Sequence, residues 1–88
     1  MSEHIHALKD RARLEVDRRG QKLIEVSDAM YAEPEIGLQE FKSSAMLVDL
    51  LKNEGFSVET GLAGMPTSFR AVKKGKPGGP TVAILAEY

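Results

Sequence analysis

The chain has 88 residues, of which 42% are hydrophobic and 28% are charged, and its formal net charge is −1. This balance is typical of a folded globular chain rather than a disordered one, and it gives no electrostatic reason to expect nucleic acid or an anionic membrane as a partner. The sequence contains no cysteine, which excludes disulfides and thiolate metal ligands.

The first third of the chain is rich in helix-forming residues and reaches its first proline only at Pro34. Apolar residues recur at spacings of three and four between Ile5 and Val16, which is the pattern of an amphipathic helix. The spacing predicts a helix over about 2–32, with a bend or pause at Gly20. No apolar run approaches the roughly 18 residues of a membrane span, and none resembles a signal peptide, so we expect a cytoplasmic protein.

A second helix is predicted over about 39–54, after Pro34 and Gly37 break the first one. Gly55 is placed where a left-handed residue ends many helices. The predicted buried face of this helix consists of Phe41, Ala45, Val48 and Leu51. Two amphipathic helices joined by a short turn would form a helical hairpin.

After Gly55 the apolar period changes from 3.6 to 2, which predicts strands over about 56–60, 67–74 and 80–87. The expected fold class is therefore α/β, with two N-terminal helices followed by three strands. Residues 82–86 are all apolar, as in a strand that is buried on both faces. Since 88 residues provide too few layers to cover both faces, we expect the sheet to be incomplete, the start of a larger domain. The alternative is a complete small α+β domain whose last strand pairs with another copy.

Two groups of side chains could suggest chemistry near the helices. His4 and His6 lie two apart on a predicted helix and point about 200° away from each other, which disfavours a shared metal ion. Glu33, Glu35 and Glu40 form an acidic patch, but paired carboxylates need burial for acid–base work. Capping or solvation of the second helix is the favoured interpretation, because the helix dipole attracts negative charge there.

The remaining candidates lie near the strands. Lys73, Lys74 and Lys76 lack the Gly-Lys-Ser/Thr ending of a phosphate loop and predict a solvated turn. No serine occupies a Gly-x-Ser-x-Gly elbow. Glu87 and Tyr88 follow the last predicted strand, at the strand end where open α/β sheets bind ligands. These two residues are expected near a site in a longer chain, and no catalytic or metal-binding residue is assigned.

Several short motifs occur in order along the chain: Pro34-Glu35-Ile36-Gly37, Glu40-Phe41, Gly55-Phe56, the loop from Gly61 to Thr67, and the closing AILAEY. Together they resemble the N-terminal stretch of the aminoacylase-like metallopeptidases, in particular the amidohydrolase branch that contains aminobenzoyl-glutamate hydrolases and auxin-conjugate hydrolases. The resemblance covers about Leu23 to Tyr88. Ala32-Glu33 departs from the pattern, because many relatives carry a histidine directly before the proline.

The resemblance implies the N-terminal part of a mixed-sheet α/β catalytic domain, within a two-domain enzyme that also has a dimerisation domain. Such enzymes hydrolyse the amide bond of small N-acyl amino acids or dipeptides with zinc or manganese, and a glutamate general base activates a metal-bound water. The family's metal ligands follow the segment that matches AILAEY, so none falls on this sequence. We therefore expect the 88 residues alone to be inactive and to bind no metal ion, while a homodimer is conceivable for the longer enzyme.

The alternative function comes from a different class. A small α+β interaction module without enzymatic activity could self-associate through an open sheet edge. In that case the long first helix and the last predicted strand would be contact surfaces.

Overall fold

A computed structural model describes residues 2–88 of the chain. The helices are α1 (Ser2–Ala32) and α2 (Phe41–Asn53), and the strands are β1 (Ser57–Thr60) and β2 (Phe69–Val72). A single 3₁₀ turn, Leu62–Gly64, lies between the strands. The α/β class with two N-terminal helices is confirmed. The chain divides into two compact units, Met1–Pro34 and Glu35–Tyr88.

The first unit consists of α1, a helix of 31 residues that continues through Gly20. A mid-helix glycine costs about 1 kcal/mol relative to alanine, and the predicted pause does not occur. Ion pairs one turn apart line the helix, including Arg18 with Glu15 at 3.0 Å and Arg19 with the same carboxylate. The hydrogen bond from Arg19 is the main reason that the pKa of Glu15 is lowered. No helix in the described part of the chain is both long and apolar enough to cross a membrane.

In the second unit, α2 ends in a Schellman motif. Gly55 has φ +92°, the left-handed conformation predicted from its position. Its N–H donates to the carbonyl of Lys52 at 3.0 Å, and the N–H of Phe56 donates to the carbonyl of Leu51 at 3.0 Å. These two bonds satisfy carbonyls that the last helical turn leaves without partners, so the helix ends where the sequence requires.

The two strands form an antiparallel hairpin in which Ser57 pairs with Val72 and Thr60 with Phe69. Side chains alternate along β2 between half-buried and exposed, as the period of two predicts. Just after β2, Lys73 donates to the carbonyl of Glu54 at 2.8 Å. The hairpin is thereby joined to the end of α2.

The predicted third strand over 80–87 is wrong for this structure. The sheet in the described residues has two strands, and residues 80–88 are neither helix nor strand. Val82, Ile84 and Leu85 are 82%, 88% and 99% exposed. The physical reason is that a strand forms only where a neighbour supplies its ladder of hydrogen bonds, and the described residues place no strand beside this run. The apolar pattern expresses a preference for burial and does not supply the partner.

Candidate functional site

The loop before α2 provides the carboxylate that caps this helix. Glu35 Oε2 accepts the N–H of Lys42 at 2.9 Å, while Oε1 accepts the N–H of Ser43 at 2.8 Å and its hydroxyl at 2.7 Å. Glu40, at the N-cap position itself, makes no side-chain capping bond. Backbone N–H groups at a helix start otherwise lack partners, and the helix dipole favours a negative charge there. The capping role predicted for Glu35 is confirmed.

The same contacts change the acidity of Glu35. The hydrogen bond from the N–H of Lys42 is the largest of the causes that lower its pKa, followed by the hydroxyl and N–H of Ser43. All of these donors stabilise the ionised carboxylate rather than the neutral acid. Glu35 is thus held as an anion, which suits a structural cap and not a general acid.

The loop that joins β1 to β2 is held by its own hydrogen bonds. The N–H of Gly61 donates to the carbonyl of Ser68 at 2.9 Å. The hydroxyl of Ser68 donates to the carbonyls of Leu62 at 3.0 Å and Met65 at 2.8 Å. These bonds fix the loop as a compact turn, which presents Thr67 toward α2.

A buried group of hydrogen bonds forms where this loop meets α2. The carbonyl of Thr67 accepts the hydroxyl of Ser44 at 3.1 Å and the hydroxyl of Tyr88 at 2.5 Å. The hydroxyl of Thr67 donates to Glu40 Oε1 at 3.3 Å. We call Glu40, Ser44, Thr67 and Tyr88 the Thr67 node. Thr67 is only 4% exposed, so these bonds offset the cost of burying its polar groups.

Tyr88 also contacts an aromatic ring of the hairpin. Its ring centroid lies 6.0 Å from that of Phe69, at an interplanar angle of 35°. This separation is within the range of favourable aromatic pairs. Glu87, the other residue expected near a site, lies exposed and outside the node. That these two residues adjoin a catalytic site stays a prediction.

An open pocket of about 260 Å³ lies beside the node, between α2 and the loop. It is lined by Phe41, Ser44, Ala45, Val48, Asp49, Thr60, Pro66 and Thr67. Pockets that enclose drug-sized ligands usually measure roughly 300–1,000 Å³ and cover most of the ligand. This pocket is smaller and shallow, so it does not by itself define a small-molecule site.

The metal centre that the resemblance implies does not fit the residues described. His4 and His6 lie exposed on α1. Across residues 2–88, no group of three or more His, Cys, Asp or Glu side chains is placed to hold a metal ion. Structural and catalytic zinc sites need at least three protein ligands, so no catalytic step can be derived through a metal here.

Sequence reasoning did not identify Ser44 or Thr67 as parts of a polar node. Ser44 had a usable signal, since it lies three residues after Phe41 and four before Val48, on the apolar stripe of α2. A serine on a buried stripe needs a hydrogen-bond partner. The partner itself is 23 residues away in sequence, and no local pattern indicates it.

No protein-family model matches the chain, and no solved structure matches it significantly. At the level of class, a comparison with curated proteins relates the chain distantly to the amidohydrolases. The relative is one of the subunits of the p-aminobenzoyl-glutamate hydrolase of Escherichia coli (strain K12), which is 31% identical over 75 residues. The match covers 85% of this chain, and the chain spans only about 15% of the relative's length.

Proposed function

We propose that this chain provides the N-terminal part of the catalytic domain of a metal-dependent amidohydrolase. The substrate class is a small N-acyl amino acid or dipeptide-like molecule, and the bond that is hydrolysed is its amide. The observation that carries the proposal is the 31% identity over 75 residues to the E. coli p-aminobenzoyl-glutamate hydrolase. The longer enzyme would hold zinc or manganese through residues outside this chain, and it would act as a homodimer in the cytoplasm.

Within such an enzyme, these residues would form scaffold. The Glu35 cap fixes the start of α2, and the Schellman motif at Gly55 fixes its end. The Thr67 node then joins α2, the loop between the strands and Tyr88 through hydrogen bonds. A catalytic group works only when rigid neighbours hold it in place, and this arrangement is suited to that supporting role.

A chimeric enzyme tests the proposal. The 75-residue matched stretch of the E. coli hydrolase is replaced by the corresponding residues of this chain, and hydrolysis of p-aminobenzoyl-glutamate is followed by the release of glutamate. We expect the chimera to keep measurable hydrolase activity. We expect the 88-residue chain alone to show none, even when zinc or manganese is added.

A matched variant separates scaffold from coincidence. Val48→Asp in the chimera puts a charge at a buried position of α2 and should abolish activity together with folding. Leu85→Asp puts the same charge at a position that is exposed in this chain, and it should be harmful only if the longer enzyme buries residue 85. A chimera that folds by circular dichroism and binds metal but hydrolyses nothing would contradict the proposal, as would turnover by the isolated chain.

A further inference from the structure

Residues 80–88 lie in the second unit without pairing to its sheet. Residues 80–87 are exposed throughout, and in the described chain the side-chain hydrogen bonds of this stretch run through Tyr88. Its phenol donates to the carbonyl of Thr67, and its ring contacts Phe69. The stretch is therefore covalently attached to the turn after β2 at one end and held by one side chain at the other.

The surface that receives Tyr88 does not depend on Tyr88. The carbonyl of Thr67 also accepts the hydroxyl of Ser44 at 3.1 Å, and the loop is closed by the bond between Gly61 and Ser68. If Tyr88 leaves, this carbonyl keeps one partner and the phenol gains water. Opening therefore leaves no buried polar group unsatisfied, which is the usual large cost of breaking such a contact.

We propose that residues 80–88 form a strap and that Tyr88 is its latch, which opens and closes locally while α2 and the loop between the strands stay folded. The latch acts through both the phenol hydroxyl and the ring of Tyr88. Local opening of this kind is expected where few buried contacts hold a segment. This proposal concerns the second unit alone and does not rest on the hydrolase assignment.

The latch has a consequence for the apolar run inside the strap. When Tyr88 is docked, the path of Val82, Ile84 and Leu85 is restricted at both ends. Part of the conformational entropy that these residues would lose on joining a sheet is then already lost. The closed latch thus prepares the run for ordering, and the open latch removes this preparation.

Backbone ¹⁵N relaxation of the 88-residue chain tests the latch, with Tyr88→Phe and Tyr88→Ala as variants. In the unsubstituted chain we expect residues 84–88 to approach the order parameter of about 0.85 that is typical of a rigid backbone. Tyr88→Ala should lower it below about 0.6, the flexible range. Tyr88→Phe should be intermediate, because one lost hydrogen bond changes the closed-to-open ratio by about fivefold.

Tyr31→Phe is the matched control, since Tyr31 is the only other tyrosine and lies outside the node. It should leave every order parameter in the strap unchanged. Unchanged order at 84–88 in Tyr88→Ala would overturn the latch, and so would Tyr88→Phe behaving like the unsubstituted chain. A comparable loss of order at Gly61, Ser68 and α2 would also overturn it, because Tyr88 would then be part of the unit's core.

Discussion

Two parts of the second unit contain valines in apolar surroundings, and only one part buries them. In α2, Val48 is 8% exposed, whereas Val82 in the strap is 82% exposed. The helix meets both strands and the loop between them, so its apolar stripe has a surface to cover. The strap is more apolar in sequence but has no strand beside it. The contrast shows that a local pattern sets the preference for burial, while a partner decides whether burial occurs.

The strongest way to break this comparison is to make one substitution in both parts. Val48→Ala removes two buried methyl groups and should lower the free energy of unfolding by about 2 kcal/mol, from lost burial and the cavity left behind. Val82→Ala should change it by less than about 0.5 kcal/mol, as is usual for exposed positions. Urea unfolding followed by circular dichroism measures both.

Equal effects of the two valine substitutions would contradict the comparison. A large effect of Val82→Ala alone would mean that the strap is buried in solution. The source of such burial can be read from the same experiment, because an effect that grows with protein concentration would come from association between copies.

A threonine pair sharpens the comparison for polar groups. Thr67→Val keeps the shape of the side chain but removes the hydroxyl that donates to Glu40. We expect a loss of about 1 kcal/mol, the net value of a typical hydrogen bond. Thr81→Val in the exposed strap should stay within about 0.5 kcal/mol of the unsubstituted chain. Chemical unfolding of both variants checks this, and a neutral Thr67→Val would show that the node adds nothing to stability.

Features that depend on local chain chemistry could be predicted from the sequence. The period of three and four residues gave α1 and α2 near their observed bounds, and Gly55 gave the end of α2. Glu35 could be assigned as a cap because its partners lie seven and eight residues ahead. In each case, the residues that interact are close together in the chain.

Features that depend on distant partners could not be predicted. The strand over 80–87 failed because an apolar run does not specify its neighbour in a sheet. The Thr67 node joins residues 21 to 27 positions apart, so its geometry follows from the fold and not from any motif. Tyr88 was expected near a site because of its place after a strand, but its observed contact arises from the loop that holds Thr67.

The smallest expected effect comes from a glutamate pair and depends on pH. The pKa of Glu35 is lowered from its ordinary value of 4.5 by the N–H of Lys42 and the contacts of Ser43. Its contribution to α2 is therefore present above pH 4.5 and is lost as the pH falls through the lower, folded-state pKa. Glu35→Gln should remove this pH dependence, since the amide does not titrate in that range.

The reporter for this last pair must be local, because the pKa of Glu15 is also lowered and acid unfolding of the whole chain would mix the two groups. The amide proton shift of Ser43 is suitable, since its N–H donates directly to Glu35 at 2.8 Å. We expect an acid titration of this shift in the unsubstituted chain and in Glu87→Gln, where the change falls in the exposed strap. Glu35→Gln should abolish it. A titration that survives Glu35→Gln, or one that disappears in Glu87→Gln, would show that the start of α2 responds to a carboxylate other than its cap.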